Sequence, residues 1–266
     1  MDKNQTREVL FEKTQDGIAC ITLNRPDQLN AMTLDMYDQV AALAGQCSED
    51  ASVRAVVITG SGKHFCAGGD IMRFKRLMDA GQELPQAGVI KTAQMAMAVR
   101  RCEKPVIAKV NGSAVGAGCA LALACDFRVM DENSRLLSGF TRMGFSGDTL
   151  GWYWLSRMVG MAKTAEFYMM GKGFTAREAL DLGISSLVAP AGRLDQEAEA
   201  FAAKFLELPT RALAYQKQMF NLIAYPDMEA VAAMEREFMP RCSMLKDHEE
   251  AVNAFLEKRE PRFTGR

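Results

Sequence analysis

Two glycine-centred segments hold the residue types best suited to chemistry in this chain. The first is His64-Phe65-Cys66-Ala67-Gly68-Gly69-Asp70-Ile71 and the second Val110-Asn111-Gly112-Ser113-Ala114-Val115-Gly116-Ala117-Gly118-Cys119-Ala120-Leu121. Small residues let main chain approach a ligand closely, and unpaired N–H groups at such turns bind an anion or an oxyanion. Two peptide N–H groups converging on one carbonyl oxygen would stabilise a developing enolate. Each segment follows an apolar run that reads as a buried strand, Ala55-Val56-Val57-Ile58 before the first and Pro105-Val106-Ile107-Ala108-Lys109-Val110 before the second.

The elements that would position these turns alternate through the first part of the chain. Residues 18–23 and 54–58 read as buried strands, since both alternating faces are apolar. Residues 33–46 read as an amphipathic helix capped by Thr33, with Leu34, Met36, Tyr37, Val40, Ala41 and Leu43 on or near one stripe. Residues 106–110 form a strand, 116–125 start a buried Ala- and Leu-rich helix, and 127–130 form another strand. This βα repetition points to the α/β class. Residues 79–88, with Gly81, Pro85 and Gly88, read as a loop.

From residue 193 the pattern turns wholly helical, over 194–208, 210–224, 227–243 and 247–258, with Pro209, Pro226 and Pro240 marking starts or stops. The expected organisation is a core over 1–192 and a helical region over 193–266. Helix faces rich in Met, Phe and Ala in that region suggest subunit contacts.

Composition narrows the function classes. The 266 residues include 32 basic and 33 acidic side chains, a formal charge of −1. No basic stripe interrupts this balance, which argues against a nucleic-acid partner. Seven cysteines without metal-ligand spacing, and only His64 and His248, argue against a metal site. An odd cysteine count and an N-terminus without a targeting core fit a reducing cytoplasm. No apolar run approaches the roughly 20 residues of a membrane span. The 18 methionines read chiefly as helix and interface filler, with the lining of an adaptable acyl pocket as the alternative.

Several segments occur together in one family's order and spacing. They are Ile18-Ala19-Cys20-Ile21-Thr22-Leu23-Asn24-Arg25-Pro26, Leu29-Asn30-Ala31, both glycine segments and Ala254-Phe255-Leu256-Glu257-Lys258-Arg259. Over nearly its whole length the chain thereby resembles the enoyl-CoA hydratase/isomerase (crotonase) superfamily. The resemblance implies a crotonase-like ββα spiral core followed by a C-terminal α-helical oligomerisation region, which in relatives builds trimers that pair into hexamers. It implies an acyl-CoA thioester substrate, with coenzyme A part of that substrate and no separate cofactor. It assigns the oxyanion-hole donors to the N–H groups of Gly69 and Ala117, the latter strengthened by a helix N-terminus. Ala67, Gly68, Ile71, Met72 and Gly116 then flank the substrate, and Asp70 there is read mainly as a helix cap. Arg25 and Ala31 fall in the segment that holds the nucleotide part of coenzyme A. The loop over 79–88 would border the acyl pocket, and Phe255 and Lys258 would reach the adenine end from a neighbouring subunit.

Departures from the family pattern bear on the reaction. The two glutamates with which family hydratases handle water correspond here to Ala120 and Phe140. Phe140 is retained as a substrate-lining residue, but neither side chain carries a proton. Met143-Gly144-Phe145-Ser146-Gly147-Asp148-Thr149-Leu150-Gly151 resembles the stretch in which family double-bond isomerases relay a proton through an aspartate. Gly147 stands there for the usual proline and Leu150 for a glycine. Phe140, Phe145, Leu150, Trp152 and Trp154 would give Asp148 an apolar setting that raises its pKa. The alternative is that Asp148 only caps a helix over 149–158. Cys66 and Cys119 read as small packing residues and His64 as structural. The favoured function is therefore an enoyl-CoA isomerase using Asp148. Hydratase, hydrolase or decarboxylase chemistry, and a non-catalytic acyl-CoA-binding or scaffold protein, are the alternatives.

Overall fold

The computed structural model describes residues 7–266; the stretch 1–6, part of the N-terminus read above for a targeting core, lies outside the described residues. Its centre is a six-stranded sheet in the order β1-β2-β3-β4-β6-β9. These strands are β1 (Val9–Lys13), β2 (Ile18–Leu23), β3 (Ala55–Gly60), β4 (Val106–Val110), β6 (Phe127–Asp131) and β9 (Leu187–Ala189). Only the β1–β2 pair is antiparallel; from β2 onward neighbours run parallel, as in Ile18 against Ala55 and Val56 against Val106. A three-stranded sheet of β5 (Ser113–Val115), β7 (Arg135–Leu137) and β8 (Phe174–Thr175) stands beside it. That sheet was not expected from sequence, because its strands are too short to show a period.

The apolar runs are explained by cover on both faces. Alternation along β3 sends Val56 and Ile58 into the main core and Ala55 and Val57 into a second cluster. The main core is closed by α1 (Leu34–Glu49), α3 (Gln86–Arg101), α4 (Ala117–Ala124) and α5 (Gly151–Met169). The smaller cluster lies under α7 (Leu194–Ala203), through Leu194, Ala198, Ala202 and the following Phe205. Short α2 (Ile71–Asp79) and α6 (Ala176–Asp181) complete the first part of the chain. Thr33 caps α1 by accepting from Met36 N at 3.2 Å, as its position suggested. The expected loop over 79–88 is shorter: α2 runs through Asp79 and α3 already begins at Gln86, so Gly88 is helical.

Beyond α7 come α8 (Thr210–Ala224), α9 (Met228–Ser243) and α10 (Lys246–Leu256). Pro240 lies inside the last turn of α9 instead of ending it. These helices join the main core and do not stand apart from it. Tyr225, Met228, Val231 and Met239 belong to the same apolar cluster as the sheet. On α8, Lys217 meets Asp126 at 2.6 Å, and Arg100 of α3 meets the same carboxylate at 2.7 Å. All three side chains are nearly sheltered from water, so losing one would leave an uncompensated buried charge. Elsewhere α8 and α9 expose Met219, Phe220, Leu222, Ile223 and Phe238. Among the described residues no helix is long and apolar enough to cross a membrane.

Candidate active site

The two glycine segments meet. Cys66 bridges to Ala114 in parallel, with Val115 N donating to Cys66 O at 2.9 Å and Cys66 N to Ser113 O at 3.2 Å. On the other side Gly69 bridges to Met32, with Met32 N donating to Gly68 O at 2.8 Å and Asp70 N to Met32 O at 3.3 Å. A parallel bridge uses the groups flanking the bridged residue, so the N–H of Gly69 itself points away from Met32. Gly68 has φ +94°, and a Cβ there would lie 2.9 Å from Val115 O. Gly118 fits for a similar reason, since a Cβ on it would fall 2.5 Å from Cys66 Cβ. Glycine at these positions is what lets the turns close to this distance.

Gly116, at φ 54° and ψ −123°, turns the chain so that Ala117 begins α4. A helix's first N–H groups have no partner within the helix. Among the described residues neither Gly69 N nor Ala117 N donates to the chain, and both residues line one cleft of about 530 Å³. The pair can therefore take up one carbonyl oxygen, and the start of α4 adds partial positive charge.

Asp148 lines the same cleft and is only 7% exposed. Thr149 Oγ1 donates to it at 2.7 Å, and the Thr92 hydroxyl, which donates to Val89 O at 2.9 Å, lies close by. Burial outweighs these hydroxyls and the nearby Arg73 charge, and the Asp148 carboxyl is pushed up to about 6. Such a group exchanges a proton readily near neutrality.

The helix-cap alternative for Asp148 does not describe its side chain. Helix α5 begins at Gly151 behind Thr149 and Leu150, which adopt left-handed backbone at φ 63° and 56°. The N–H at this helix start goes instead to Glu235 of α9, whose carboxyl oxygens lie 3.0 and 3.1 Å from Leu150 N. Trp154 Nε1 fixes the Thr149 carbonyl at 3.0 Å. Glu235 is 3% exposed, and burial together with the Asp148 charge holds its carboxyl well above the usual range. Burial and the Asp148 charge thus both favour the protonated form of Glu235.

Other expected residues fall as follows. Ala31, Ala67, Gly68, Asp70, Ile71, Met72, Gly116, Phe140 and Phe255 line the cleft. Asp70 caps α2 through Met72 N at 2.9 Å, and it also faces Arg25 at 3.4 Å. Arg25 stands behind the lining and donates to Ala31 O at 2.6 Å, bracing the loop. Lys258 lies outside the cleft, exposed, at φ 55°. Phe255 was expected to serve a neighbouring subunit; here it reaches the cleft of its own chain, because α10 packs on α2 and the turn at Thr141–Met143. His248 of α10 anchors that packing, with Nδ1 2.7 Å from Met143 O and its ring 4.2 Å from Phe145. Ala120 is fully buried and does not line the cleft; a Cβ on Gly151 would come within 2.8 Å of its Cβ, so it packs directly against the start of α5. Cys66 and Cys119 are buried, with thiols pushed up to about 12 by burial, so neither supplies a ready thiolate. The His64 carbonyl, accepting from Asn30 Nδ2 at 2.7 Å, is part of the loop scaffold. Among the described residues no group of His, Cys, Asp or Glu could hold a metal.

Sequence reasoning did not single out Tyr37, Arg73, Thr92 or Glu235, of which the first three line the cleft. Glu235 had a signal, since it interrupts the apolar stripe Met228, Val231, Met239 at helical spacing. Tyr37 was read only as part of a packing stripe, and Arg73 sits among Lys75 and Arg76 with nothing to distinguish it.

A ββα core whose two glycine turns present free N–H groups to a cleft with a buried carboxyl defines a crotonase-like acyl-thioester site. The chain belongs to the enoyl-CoA hydratase/isomerase family, whose profile matches residues 13–266. A probable enoyl-CoA hydratase of Rhodobacter capsulatus is 34% identical over 94% of this chain and 96% of its own length. The 1,2-epoxyphenylacetyl-CoA isomerase of Escherichia coli is 31% identical over 97% and 99% respectively. Among solved structures, an enoyl-CoA hydratase from Mycobacterium avium subsp. paratuberculosis superposes with a TM-score of 0.88 at 26% identity, covering 98% of this chain and 100% of that one.

Proposed function

We propose that this protein moves a carbon–carbon double bond in an enoyl-CoA thioester, with Asp148 as the proton carrier. The observation that carries the reading is one buried carboxyl, raised to about 6, in the cleft that the Gly69 and Ala117 N–H groups share. Neither position at which family hydratases hold a glutamate has one here, as Ala120 and Phe140 occupy them.

In this mechanism the thioester oxygen accepts from Gly69 N and Ala117 N. The ionised Asp148 takes a proton from C2 of a 3-enoyl group, and the electron pair moves into an enolate that the two donors stabilise. The C2–C3 double bond forms as the C3–C4 double bond breaks, and Asp148 returns the same proton to C4. Nothing is consumed, and the carboxyl ends as it began. Residues such as Ile71, Met72 and Phe255 would hold the coenzyme A portion at the mouth, with Arg25 bracing that loop.

Relatives named as hydratases supply the second reading, addition of water. Water addition asks for a second acid–base group at the substrate, and Glu235 lies behind Asp148 without lining the cleft. The deciding experiment follows 3-hexenoyl-CoA and crotonyl-CoA by NMR in deuterated water. Conversion of the first to 2-hexenoyl-CoA, with slow or no hydration of the second, is expected. Brisk hydration of crotonyl-CoA without isomerisation would overturn the proposal, and binding without any proton exchange would leave a non-catalytic acyl-CoA binder.

A further inference from the structure

The cleft contains a cation whose hydrogen-bond donors the double-bond chemistry does not use. Arg73, in the first turn of α2, lines the cleft and is half-buried. It lies against α3 at Gly88, where a Cβ would come within 2.6 Å of Nη2 and 3.3 Å of Cζ. Among the described residues its guanidinium makes no hydrogen bond and no ion pair, the Arg73 main-chain N–H alone being engaged, by Asp70 O at 3.0 Å. Its charge is felt by Tyr37 and Asp148, with Arg76 adding a second positive charge and Asp70 a negative one. Asp70 is already engaged by Arg25 and by the start of α2. The Tyr37 hydroxyl likewise has no partner among the described residues, although the side chain is only 4% exposed. It stands 3.6 Å from where a Cβ on Gly69 would be, beside the N–H that would face the thioester.

The remaining wall here is largely apolar, with Phe74, Leu84, Val89 and Phe145. A plain hydrocarbon chain filling this space would strip water from a guanidinium and a phenol and return no acceptor to either. Leaving charged donors unsatisfied in that way is strongly unfavourable. A carboxylate would satisfy the planar fork of Arg73 bidentately, with the Tyr37 hydroxyl available as a further donor.

We infer that the acyl group of the substrate carries its own carboxylate, making it a dicarboxylic acyl-CoA, and that Arg73 and Tyr37 recognise it. This inference rests on the acyl chain lying in the cleft as the proposed function requires, but not on Asp148 moving a proton.

Binding separates the two claims. Calorimetric titration of the protein with unreactive saturated pairs compares succinyl- with butyryl-CoA, glutaryl- with pentanoyl-CoA and adipyl- with hexanoyl-CoA. At the chain length that reaches Arg73 the diacid should bind at least about tenfold tighter than its partner, within the range for a charged hydrogen-bonded pair. Arg73→Met keeps an apolar stem of similar reach and should abolish or reverse that preference. Arg73→Lys keeps the charge without the fork, should retain part of it, and covers the case in which the methionine variant does not fold. Equal or tighter binding of the unsubstituted thioester at every length, an unchanged preference in either variant, or no binding of any thioester would overturn the inference. A diacid preference in a protein that isomerises no 3-enoyl-CoA would leave it standing and remove the isomerase reading. Isomerase activity without a diacid preference would do the reverse.

Discussion

The carboxyl of Glu235 accepts the N–H of Leu150 at 3.0 and 3.1 Å, and so holds the chain two residues beyond Asp148. It caps the start of α5 from another helix and leaves the Asp148 side chain free to face the cleft. Two successive non-glycine residues in left-handed backbone, Thr149 and Leu150, are strained, each by an amount on the order of 1 kcal/mol. Their persistence depends on this anchor and on the Trp154 bond to Thr149.

Glu235→Gln keeps an acceptor for Leu150 N and resembles the protonated acid, so it should retain most of the wild-type rate and melting temperature. Glu235→Leu strands a buried N–H, and a loss of roughly 1–3 kcal/mol is expected. Its kcat should fall more than its KM rises, because Asp148 loses its fixed position. Because the folded pKa of Glu235 is raised, its contribution to wild-type stability is fully present at low pH and lost as pH climbs through the raised value. Melting curves from pH 5 to 10 check this: the wild type should lose stability on the alkaline side relative to Glu235→Gln. Equal loss of activity in both variants would sink the positioning role.

Asp148→Asn separates the two duties of that carboxyl. As a base it should contribute roughly 10²–10⁴-fold to the isomerisation rate, all of which asparagine loses. Stability moves the other way. The pKa raised from 3.8 to about 6 means that the stability Asp148 contributes is full below about pH 4 and lost as pH rises through 6. The loss is roughly 3 kcal/mol at neutral pH. The asparagine variant should therefore melt higher than wild type at pH 7.5 and show little advantage at pH 4. The wild-type rate should climb with pH through an apparent pKa near 6. A pH-independent rate between 5 and 8 would contradict the assignment.

Ala117→Pro removes one oxyanion donor at the first position of α4, where proline's missing N–H and fixed φ are tolerated. The fold should survive, while turnover falls by about 10²–10³. Near-normal turnover in a folded variant would show that this N–H takes no part.

Phe255 lines its own chain's cleft while remaining 59% exposed. Phe255→Ala should leave the melting temperature nearly unchanged and raise KM several-fold with kcat intact, as expected for lost uniform binding. Mixing this variant with Asp148→Asn tests the geometry directly. Recovery of wild-type KM in the mixture would mean that Phe255 serves a neighbouring chain.

The pattern of residues foretold the β2, β3, β4 and β6 strands, the α1 cap and the helical final quarter, because each spans enough residues for a period to register. The two glycine segments were legible as a pair, since only backbone that must approach backbone needs Gly68, Gly116 and Gly118. The apolar setting of Asp148 could be read from Phe140, Phe145 and Trp154. The origin of the α5 cap could not, because Glu235 and Leu150 are far apart in the chain and only packing joins them. The same holds for Phe255: the motif named the residue, but which cleft it enters depends on how α10 packs, through His248, against Met143 and Phe145. Arg73 stayed hidden because a lone arginine in a charged helix looks solvated until the cleft around it is known.

The anchor at Glu235 also orders events during synthesis. Chains emerge N-terminus first and their parts begin to fold as they appear. The sheet through β6 and both glycine turns can assemble early, yet the segment bearing Asp148 has no partner for Leu150 N until α9 leaves the ribosome. A nascent chain, or one clipped anywhere before residue 235, therefore carries both glycine turns while the Asp148 segment lacks its anchor. Under the proposed reaction, chemical competence would arrive late, only once α9 has been made.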